Sequence, residues 1–145
     1  MTSDLSKEID FVTAFRDAWR RFQRLSEQNL ASIGLTITEV RILRSLAASE
    51  PAPMARFASE LYLTPASITG LVDRLEAEKL VQRERDDEDR RVIYVRITQK
   101  GRQSLEAGLK LHNRFMTRAL GSLSKEEAHQ LVSLLTKLTE QAEAE

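Results

Sequence analysis

Apolar residues recur at spacings of three and four along the first part of the chain, from Leu5 to Ile33. This period is that of an α-helix, so the pattern predicts one long amphipathic helix that ends at Gly34. A rise of about 1.5 Å per residue makes such a helix roughly 40 Å long. Because a single small domain cannot cover so long an apolar stripe, we expect part of the stripe to pack on a second chain.

Two shorter helices are predicted next. A Thr-x-x-Glu capping box at Thr36 and Glu39 begins the second helix, and the two prolines within residues 50–53 end it. Residues 51–54 are expected to add a short extended piece to a sheet formed further along the chain. The apolar residues between Met54 and Leu61 then predict a short third helix.

The fourth predicted helix has one apolar face and one face of small polar residues. Thr64 can cap it and Pro65 can occupy its first position. The polar face consists of Ser67, Thr69, Gly70, Asp73 and Arg74. Such a face suits the major groove of DNA, which admits a helix and displays hydrogen-bonding groups. An ordinary amphipathic helix with a solvated face would show the same pattern.

Two runs with a period of two follow, around a short charged loop. Residues 81–85 and 92–97 alternate apolar and polar positions, which predicts a β-hairpin. Together with the third and fourth helices, the hairpin makes a winged helix-turn-helix. Arg90 and Arg91 follow the acidic loop directly, and an arginine at a hairpin tip can enter a minor groove.

The acidic loop needs its own explanation, because carboxylates beside phosphates repel. We interpret Asp89 as the partner that orients Arg91, and Asp86 and Asp87 as side chains that bond backbone N–H groups within the loop. For Asp87 and Glu88, a solvated charged loop is the alternative interpretation.

Two long helices are predicted for the end of the chain. Thr98 caps the first of them, and a second capping box at Ser124 and Glu127 begins the last helix. Leucines 131, 135 and 138 lie on one side of that helix, like the seam of a coiled coil. The chain therefore has an apolar-striped helix at each end, and interleaving these ends from two subunits would bury both stripes.

Composition narrows the classes of function. The chain of 145 residues has the size of one domain, contains no cysteine and has a formal net charge of zero. Without cysteine there is no disulfide and no thiol catalysis. No apolar run is long enough to span a membrane and no secretion signal is present, so we expect a cytoplasmic protein.

Zero net charge argues against DNA binding, because DNA-binding proteins are often basic overall. The wing and its flanks are nevertheless rich in cations, so we expect a local basic face and an affinity for DNA that falls steeply with salt. These cations are Arg83, Arg85, Arg90, Arg91, Arg96, Lys100 and Arg102.

An enzyme is not expected. Both histidines, His112 and His129, lie inside helical patterns. Neither has the spacing of a nucleophilic or metal-binding motif, and no glycine-rich phosphate loop occurs. We predict no catalytic residue, no metal and no cofactor.

The central segment resembles the multiple antibiotic resistance regulator (MarR) family of winged-helix transcription factors. The matching pieces are Val72-Asp73-Arg74-Leu75-Glu76, Leu80-Val81 with Arg83, Asp89-x-Arg91, Val95-x-Ile97-Thr98 and Gly101. The family usually has glycine before the Leu-Val pair, where this chain has Lys79. Glycine there suits a left-handed end of the helix, so Lys79 puts the local turn geometry in question.

We therefore expect a mainly α fold with a small β-wing. A winged helix-turn-helix DNA-binding head at residues 35–101 would be flanked by long N- and C-terminal dimerisation helices, at residues 1–34 and 102–145. The function expected is that of a homodimeric transcriptional regulator, in the first place a repressor, on a pseudo-palindromic site in double-stranded DNA. The half-sites would lie about one helical turn, near 34 Å, apart. The alternative is a helical dimeric adaptor or scaffold that binds a protein partner.

Nine residues are candidates for DNA contacts. They are Pro65, Ala66, Ser67, Thr69, Gly70, Arg74, Asp89, Arg90 and Arg91. The resemblance also implies a small effector, often an aromatic acid, bound where the dimerisation helices meet the DNA-binding head. Arg16, Trp19, Arg20 and Arg41 could line such a site, although surface salt bridges for the arginines and burial for Trp19 are the alternatives.

Overall fold

A computed structural model describes the backbone of residues 2–143 and the side chains of residues 10–142. The predicted apolar side chains of Leu5 and Ile9 lie outside the described residues. Six helices and three strands follow in the order α1 Thr2–Ala31, α2 Ile37–Ala48, β1 Ala52–Pro53, α3 Met54–Leu61, α4 Pro65–Ala77, β2 Val81–Arg85, β3 Ile93–Ile97, α5 Gln99–Leu120 and α6 Lys125–Glu143. The mainly α fold with a small β-wing is confirmed.

The chain forms two compact units, Met1–His112 and Asn113–Glu145. The boundary falls within α5, whereas the sequence placed the limits of the DNA-binding head at residues 35 and 101. Nothing in this division tests which residues form a dimer, so the functional division stays a prediction. No helix among residues 2–143 is long and apolar enough to cross a membrane.

Local sequence signals fix the first helix boundaries. Gly34 has a left-handed backbone (φ 73°) after α1, as predicted. The capping box of α2 is complete: Glu39 N–H donates to Thr36 Oγ1 at 3.2 Å, and Thr36 N–H donates to Glu39 Oε2 at 2.9 Å. Two orphan N–H groups at the start of α2 are thereby satisfied.

The first unit has one apolar core to which α1–α5 and the sheet contribute. Ile42 and Leu43 of α2, Phe57 of α3 and Val72 of α4 are completely buried. Burial of these side chains holds α2 against α3 and α4, the two helices of the helix-turn-helix. The helices predicted from the apolar periodicity are present, and the apolar positions named here lie on their buried faces.

A three-stranded antiparallel sheet, in the order β1-β3-β2, forms the wing. Ala52 of β1 pairs with Val95, which confirms the extended piece expected after α2. In the hairpin, Val81 pairs with Ile97 and Arg85 with Ile93. The register turns Val81, Val95 and Ile97 toward the core and leaves the loop 86–92 beyond the end of the sheet.

Lys79 ends α4 in a left-handed conformation, with φ 61°. Lys79 N–H donates to Glu76 O at 2.9 Å, and Leu80 N–H donates to Leu75 O at 2.8 Å. These two bonds satisfy carbonyl groups at the end of the helix in the arrangement that glycine usually supplies. The turn expected from the family is therefore present with a lysine in it.

The start of α5 lies close to β2. Thr98 Oγ1 accepts a hydrogen bond from Gly101 N–H at 2.9 Å, which confirms the predicted cap. A Cβ atom on Gly101 would collide with the carbonyl oxygen of Leu80. Glycine at this position allows the helix to approach the strand.

The second unit contains the end of α5 and all of α6. Its capping box is also confirmed, with Ser124 N–H donating to Glu127 Oε2 at 2.8 Å and Glu127 N–H donating to Ser124 Oγ at 3.1 Å. Five large apolar side chains along α6 are exposed: Leu131, Val132, Leu134, Leu135 and Leu138. Leu131, Leu135 and Leu138 are leucines of the predicted seam, which stays a prediction.

Candidate nucleic-acid interface

The N-terminal half of α4 presents a surface of small residues to solvent. Thr64 Oγ1 accepts a hydrogen bond from Ser67 N–H at 3.2 Å and caps the helix. Ile68, Val72 and Leu75 face the core. On the other side, the predicted contact residues Pro65, Ala66, Ser67, Thr69 and Gly70 are all exposed. The structure thus brings this group together on the first two turns of the helix.

Gly70 has open space around it. A Cβ atom built at this position would meet nothing within 4 Å. A glycine inside a helix can allow close approach either of the preceding helix or of DNA. The open space removes the first reason, because no neighbouring helix comes near.

Arg83 fastens the wing to α4. Its Nη1 lies 2.6 Å from Asp73 Oδ1 and 2.8 Å from Glu76 Oε2, and its side chain is only 21% exposed. Its backbone N–H donates to Glu76 Oε1 at 3.1 Å. Several charge-assisted bonds from one guanidinium hold the strand and the helix in a fixed relation. The Arg83 guanidinium therefore has its bonding partners within the protein, on α4.

Arg74 also bonds partners within the fold, although its side chain is half exposed. Its Nε lies 3.2 Å from Glu39 Oε1, and its Nη2 donates a hydrogen bond to Gly34 O at 3.0 Å. These bonds tie α4 to the turn between α1 and α2. The DNA contact predicted for Arg74 is untested, but the orientation of its guanidinium favours a role in positioning the helix.

The wing tip holds Arg91 outward. The side chain is 91% exposed, yet it makes two parallel hydrogen bonds to Asp89: Nε to Oδ1 at 3.0 Å and Nη2 to Oδ2 at 3.1 Å. These two bonds, together with one from the Arg91 backbone N–H, lower the pKa of the Asp89 carboxyl group. In turn, the hydrogen bonds to Asp89 raise the pKa of the Arg91 guanidinium. The orienting role predicted for Asp89 agrees with this geometry.

The rest of the loop is held by its own hydrogen bonds. Asp89 N–H donates to Asp86 Oδ2 at 3.0 Å, and Val92 N–H donates to Asp89 O at 2.8 Å. Asp86 thus bonds a backbone N–H as predicted. Seven residues, 86–92, connect the strands, so the connection is longer than a two-residue turn.

Fewer wing cations are free than the sequence suggested. Arg96 Nε lies 2.8 Å from Glu84 Oε2, Arg102 pairs with Glu50, and Lys100 Nζ donates to Glu78 O. Within the described residues no ion pair is found for Arg85 or Arg90. These two arginines of the wing are exposed, and both lie at or beside the loop 86–92. Arg85, at the end of β2, was counted among the basic residues but not among the predicted contacts.

A further exposed residue next to α4 was missed from the sequence. Tyr62, in the turn between α3 and α4, is 93% exposed and has a left-handed backbone, with φ 54°. An aromatic residue at this place gives no periodic signal, because it belongs to neither helix pattern. Its exposure and backbone conformation are visible only in the fold.

A cavity of about 430 Å³ opens between α3, α4 and the start of β3. Its wall is mostly apolar, with Pro53, Met54 and Ile68 among the lining residues, and Arg91 lies at its edge. The cavity separates the wing tip from the first turns of α4.

The structure does not gather the four predicted effector residues in one cavity. Arg41 lines a small cavity of about 70 Å³ with Leu30, Arg44 and His112, among others. Arg16, Trp19 and Arg20 are not in its lining; they are exposed on α1, where Trp19 stacks on Phe22 with 6.5 Å between ring centroids. A shared site for all four stays a prediction.

The sequence is similar to known proteins of one family. The sequence model of the MarR family matches residues 35–93. The chain is 31% identical to the HTH-type transcriptional regulator YkoM of Bacillus subtilis over 134 residues, covering 92% of this chain and 87% of YkoM. It is 30% identical to the HTH-type transcriptional repressor MdtR of the same organism, over 86% of this chain and 82% of MdtR.

A solved structure agrees with the sequence relatives. The probable transcriptional regulator from Pseudomonas aeruginosa is 33% identical and superimposes with a TM-score of 0.76, covering 92% of this chain and 98% of that one. Sequence identity at this level over nearly the whole chain shows that the two proteins share a family as well as a fold. The protein belongs to the MarR family of winged helix-turn-helix, DNA-binding transcriptional regulators, and it is not an enzyme.

Proposed function

We propose that the protein is a homodimeric repressor that binds a pseudo-palindromic operator in double-stranded DNA. The observation that carries the proposal is the link between its two exposed elements: Arg83 bonds Asp73 and Glu76, so that the wing and α4 form one rigid reading surface. A helix and an arginine held in a fixed relation can address a major groove and the adjacent minor groove together.

On α4, the contacts would come from its N-terminal half. Ser67 and Thr69 carry hydroxyl groups that can bond bases or phosphates, and Pro65 and Ala66 can pack against sugars or thymine methyl groups. Gly70 would allow the DNA backbone to come close, since nothing else occupies the space beside it. The N-terminus of α4 also favours phosphate, because it is the positive end of the helix dipole.

On the wing, Arg91 would enter the minor groove. Asp89 restricts the guanidinium to one orientation before DNA arrives, which reduces the entropy lost on binding. Arg90, without an ion pair in the described part of the chain, would contact a nearby phosphate. Attraction to the narrow groove of A·T tracts would give the wing a preference for such sequences.

Dimerisation is supported by large apolar side chains that are exposed to solvent in the single chain. On α1 they include Phe11, Phe15 and Trp19, all about half exposed. The leucines of α6 are exposed in the same way. Burying such stripes between two copies would stabilise a dimer through the hydrophobic effect. Two-fold symmetry would then place the half-sites about one helical turn, near 34 Å, apart.

Repression is the mode that the related protein MdtR carries in its name, and we extend it to this chain as a proposal. An effector, if it releases the protein, must prefer one arrangement of the two heads over the other. A small aromatic acid is the candidate, with Arg41 and Arg44 as the guanidinium groups that line the cavity beside Leu30 and His112. Thermal-shift screening of aromatic acids tests this part: no change in either melting temperature or DNA affinity contradicts it.

Selection from a random pool of duplex DNA tests the main proposal. The protein is incubated with the pool, bound duplexes are amplified, and the enriched sequences are titrated across a salt series. We expect a pseudo-palindrome and an affinity that falls steeply with salt. Absence of any enriched sequence, with weak binding throughout, would favour the dimeric adaptor, and a protein partner would then be sought.

A further inference from the structure

Tyr62 and Lys79 share a rare backbone geometry. Both have positive φ without being glycine, at 54° and 61°. In each case the N–H of the following residue donates to the carbonyl five positions earlier: Leu63 to Ala58 at 3.1 Å, and Leu80 to Leu75 at 2.8 Å. The two residues therefore end α3 and α4 in the same way, and each tolerates a conformation that an L-residue adopts at a cost.

Only one of these two side chains lies beside the reading surface. Tyr62 is three positions before Pro65, in the turn that leads into the N-terminus of α4. Lys79 lies beyond the C-terminus of the same helix. The helix is thirteen residues long, so the two positions are separated by roughly 20 Å along its axis.

The phenol of Tyr62 has no partner within the described residues. The residue is 93% exposed, more than any other large hydrophobic residue in the described part of the chain. Burial in a core cannot explain a tyrosine here, and neither can the turn, which glycine would form with less strain. A bulky residue kept in a strained, solvent-exposed turn suggests a use outside the folded chain.

We propose that Tyr62 is a DNA contact: its hydroxyl donates a hydrogen bond to a backbone phosphate beside the N-terminus of α4, and its ring packs on the adjoining deoxyribose. The inference rests on the proposed function and adds a residue that the sequence did not indicate. The side chain lies outside the core, and it has only two rotatable bonds, so little conformational freedom is lost on contact.

The chemistry of this contact differs from that of the arginines. A neutral hydroxyl bonds a phosphate without displacing a counterion, whereas each lysine or arginine that neutralises a phosphate releases one. Loss of the Tyr62 contact should therefore lower affinity equally at every salt concentration. Loss of an arginine contact should also flatten the salt dependence.

The test uses three variants of the full-length protein and the selected operator duplex. Tyr62→Gly removes the side chain and relieves the backbone, Tyr62→Phe removes the hydroxyl alone, and Lys79→Gly relieves the matched backbone at the other end of α4. For each, the melting temperature and the dissociation constant are measured, the latter from about 50 to 200 mM salt.

We expect Tyr62→Gly to bind about three- to tenfold more weakly at every salt concentration, while its melting temperature is unchanged or higher. Tyr62→Phe should lose part of that affinity, and Lys79→Gly should stay within twofold of the wild type. Weaker binding without lower stability would show that the side chain, and not the fold, makes the contact.

Other results overturn the inference. Affinity of Tyr62→Gly within twofold of the wild type would remove Tyr62 from the interface, and so would equal losses for Tyr62→Gly and Lys79→Gly. A flatter salt dependence in Tyr62→Gly would mean that arginine contacts had been disturbed instead. A wild-type protein that selects no DNA sequence would overturn the proposed function itself. Failure of the Tyr62 contact and failure of the proposed function therefore give different results.

Discussion

Arg74 and Glu39 join α4 to α2, the helix that precedes the helix-turn-helix. Glu39 is 1% exposed, and its Oε1 lies 3.2 Å from Nε of Arg74, whose own side chain is 54% exposed. Glu39 Oε2 caps α2 through Thr36 N–H, so one carboxylate serves both contacts. Arg74 thereby compensates a buried charge, and the angle of α4 depends on it.

Arg74→Ala is predicted to lower stability. The substitution leaves Glu39 buried without its cation, which costs up to about 3 kcal/mol, reduced here because Arg74 is half exposed. Chemical denaturation measures the loss. Arg44→Ala on the exposed side of α2 is the control, expected within about 0.5 kcal/mol of the wild type. Unchanged stability in Arg74→Ala, together with a DNA salt slope smaller by about one, would instead make Arg74 a phosphate contact.

The wing tip gives the second prediction. Arg91→Ala removes the guanidinium that Asp89 orients and should weaken operator binding at fixed salt by more than about tenfold. Arg96→Ala is the matched control, because it also removes an arginine that is paired with a carboxylate, Glu84, but from within β3 and not from the loop 86–92. Fluorescence anisotropy at one salt concentration compares the two. Affinity of Arg91→Ala within twofold of the wild type would show that the assignment of the wing is wrong.

Gly70 allows stability and binding to be separated. Alanine fits the open space beside the helix and should raise stability by up to about 1 kcal/mol, because glycine is a poor helix former. The added methyl group should at the same time weaken operator binding, since it occupies the space proposed for the DNA backbone. Parallel measurement of unfolding and of DNA affinity tests both signs. Equal or tighter binding in Gly70→Ala would place the DNA elsewhere.

Lys79→Gly tests the end of α4 alone. The left-handed backbone of Lys79 costs about 1 kcal/mol relative to glycine, part of which is offset because glycine gains entropy in the unfolded chain. The melting temperature of the variant should therefore be unchanged or higher. Differential scanning calorimetry gives the answer, and a clear fall would mean that the lysine side chain stabilises the turn.

Much of the fold was predictable because its signals are local. The capping boxes at Thr36 and Ser124, the proline at the start of α4 and the alternation of β2 and β3 each act over a few residues. The apolar periodicity then indicates which faces are buried. Such features can be read in order along the chain, and the structure confirms them.

Long-range charge pairing was not predictable in the same way. The partners Arg74 and Glu39 are 35 positions apart, and the sequence shows the charge of each but not the distance between them. For this reason the wing appeared more basic than it is: the sequence does not reveal that Arg83 and Arg96 are already paired. The exposure of Tyr62 was hidden for a related reason, since it depends on the direction of one turn.

The spacing of the half-sites tests the central claim most directly. The measurement compares the affinity of the protein for the selected operator with that for the same duplex carrying five extra base pairs between its half-sites. Such an insertion turns the second half-site by about half a helical turn. If the two DNA-binding heads of a dimer bind one face of the duplex, the insertion should weaken binding at least about tenfold at fixed salt. Equal affinity for the two duplexes would contradict a dimer that reads both half-sites at once.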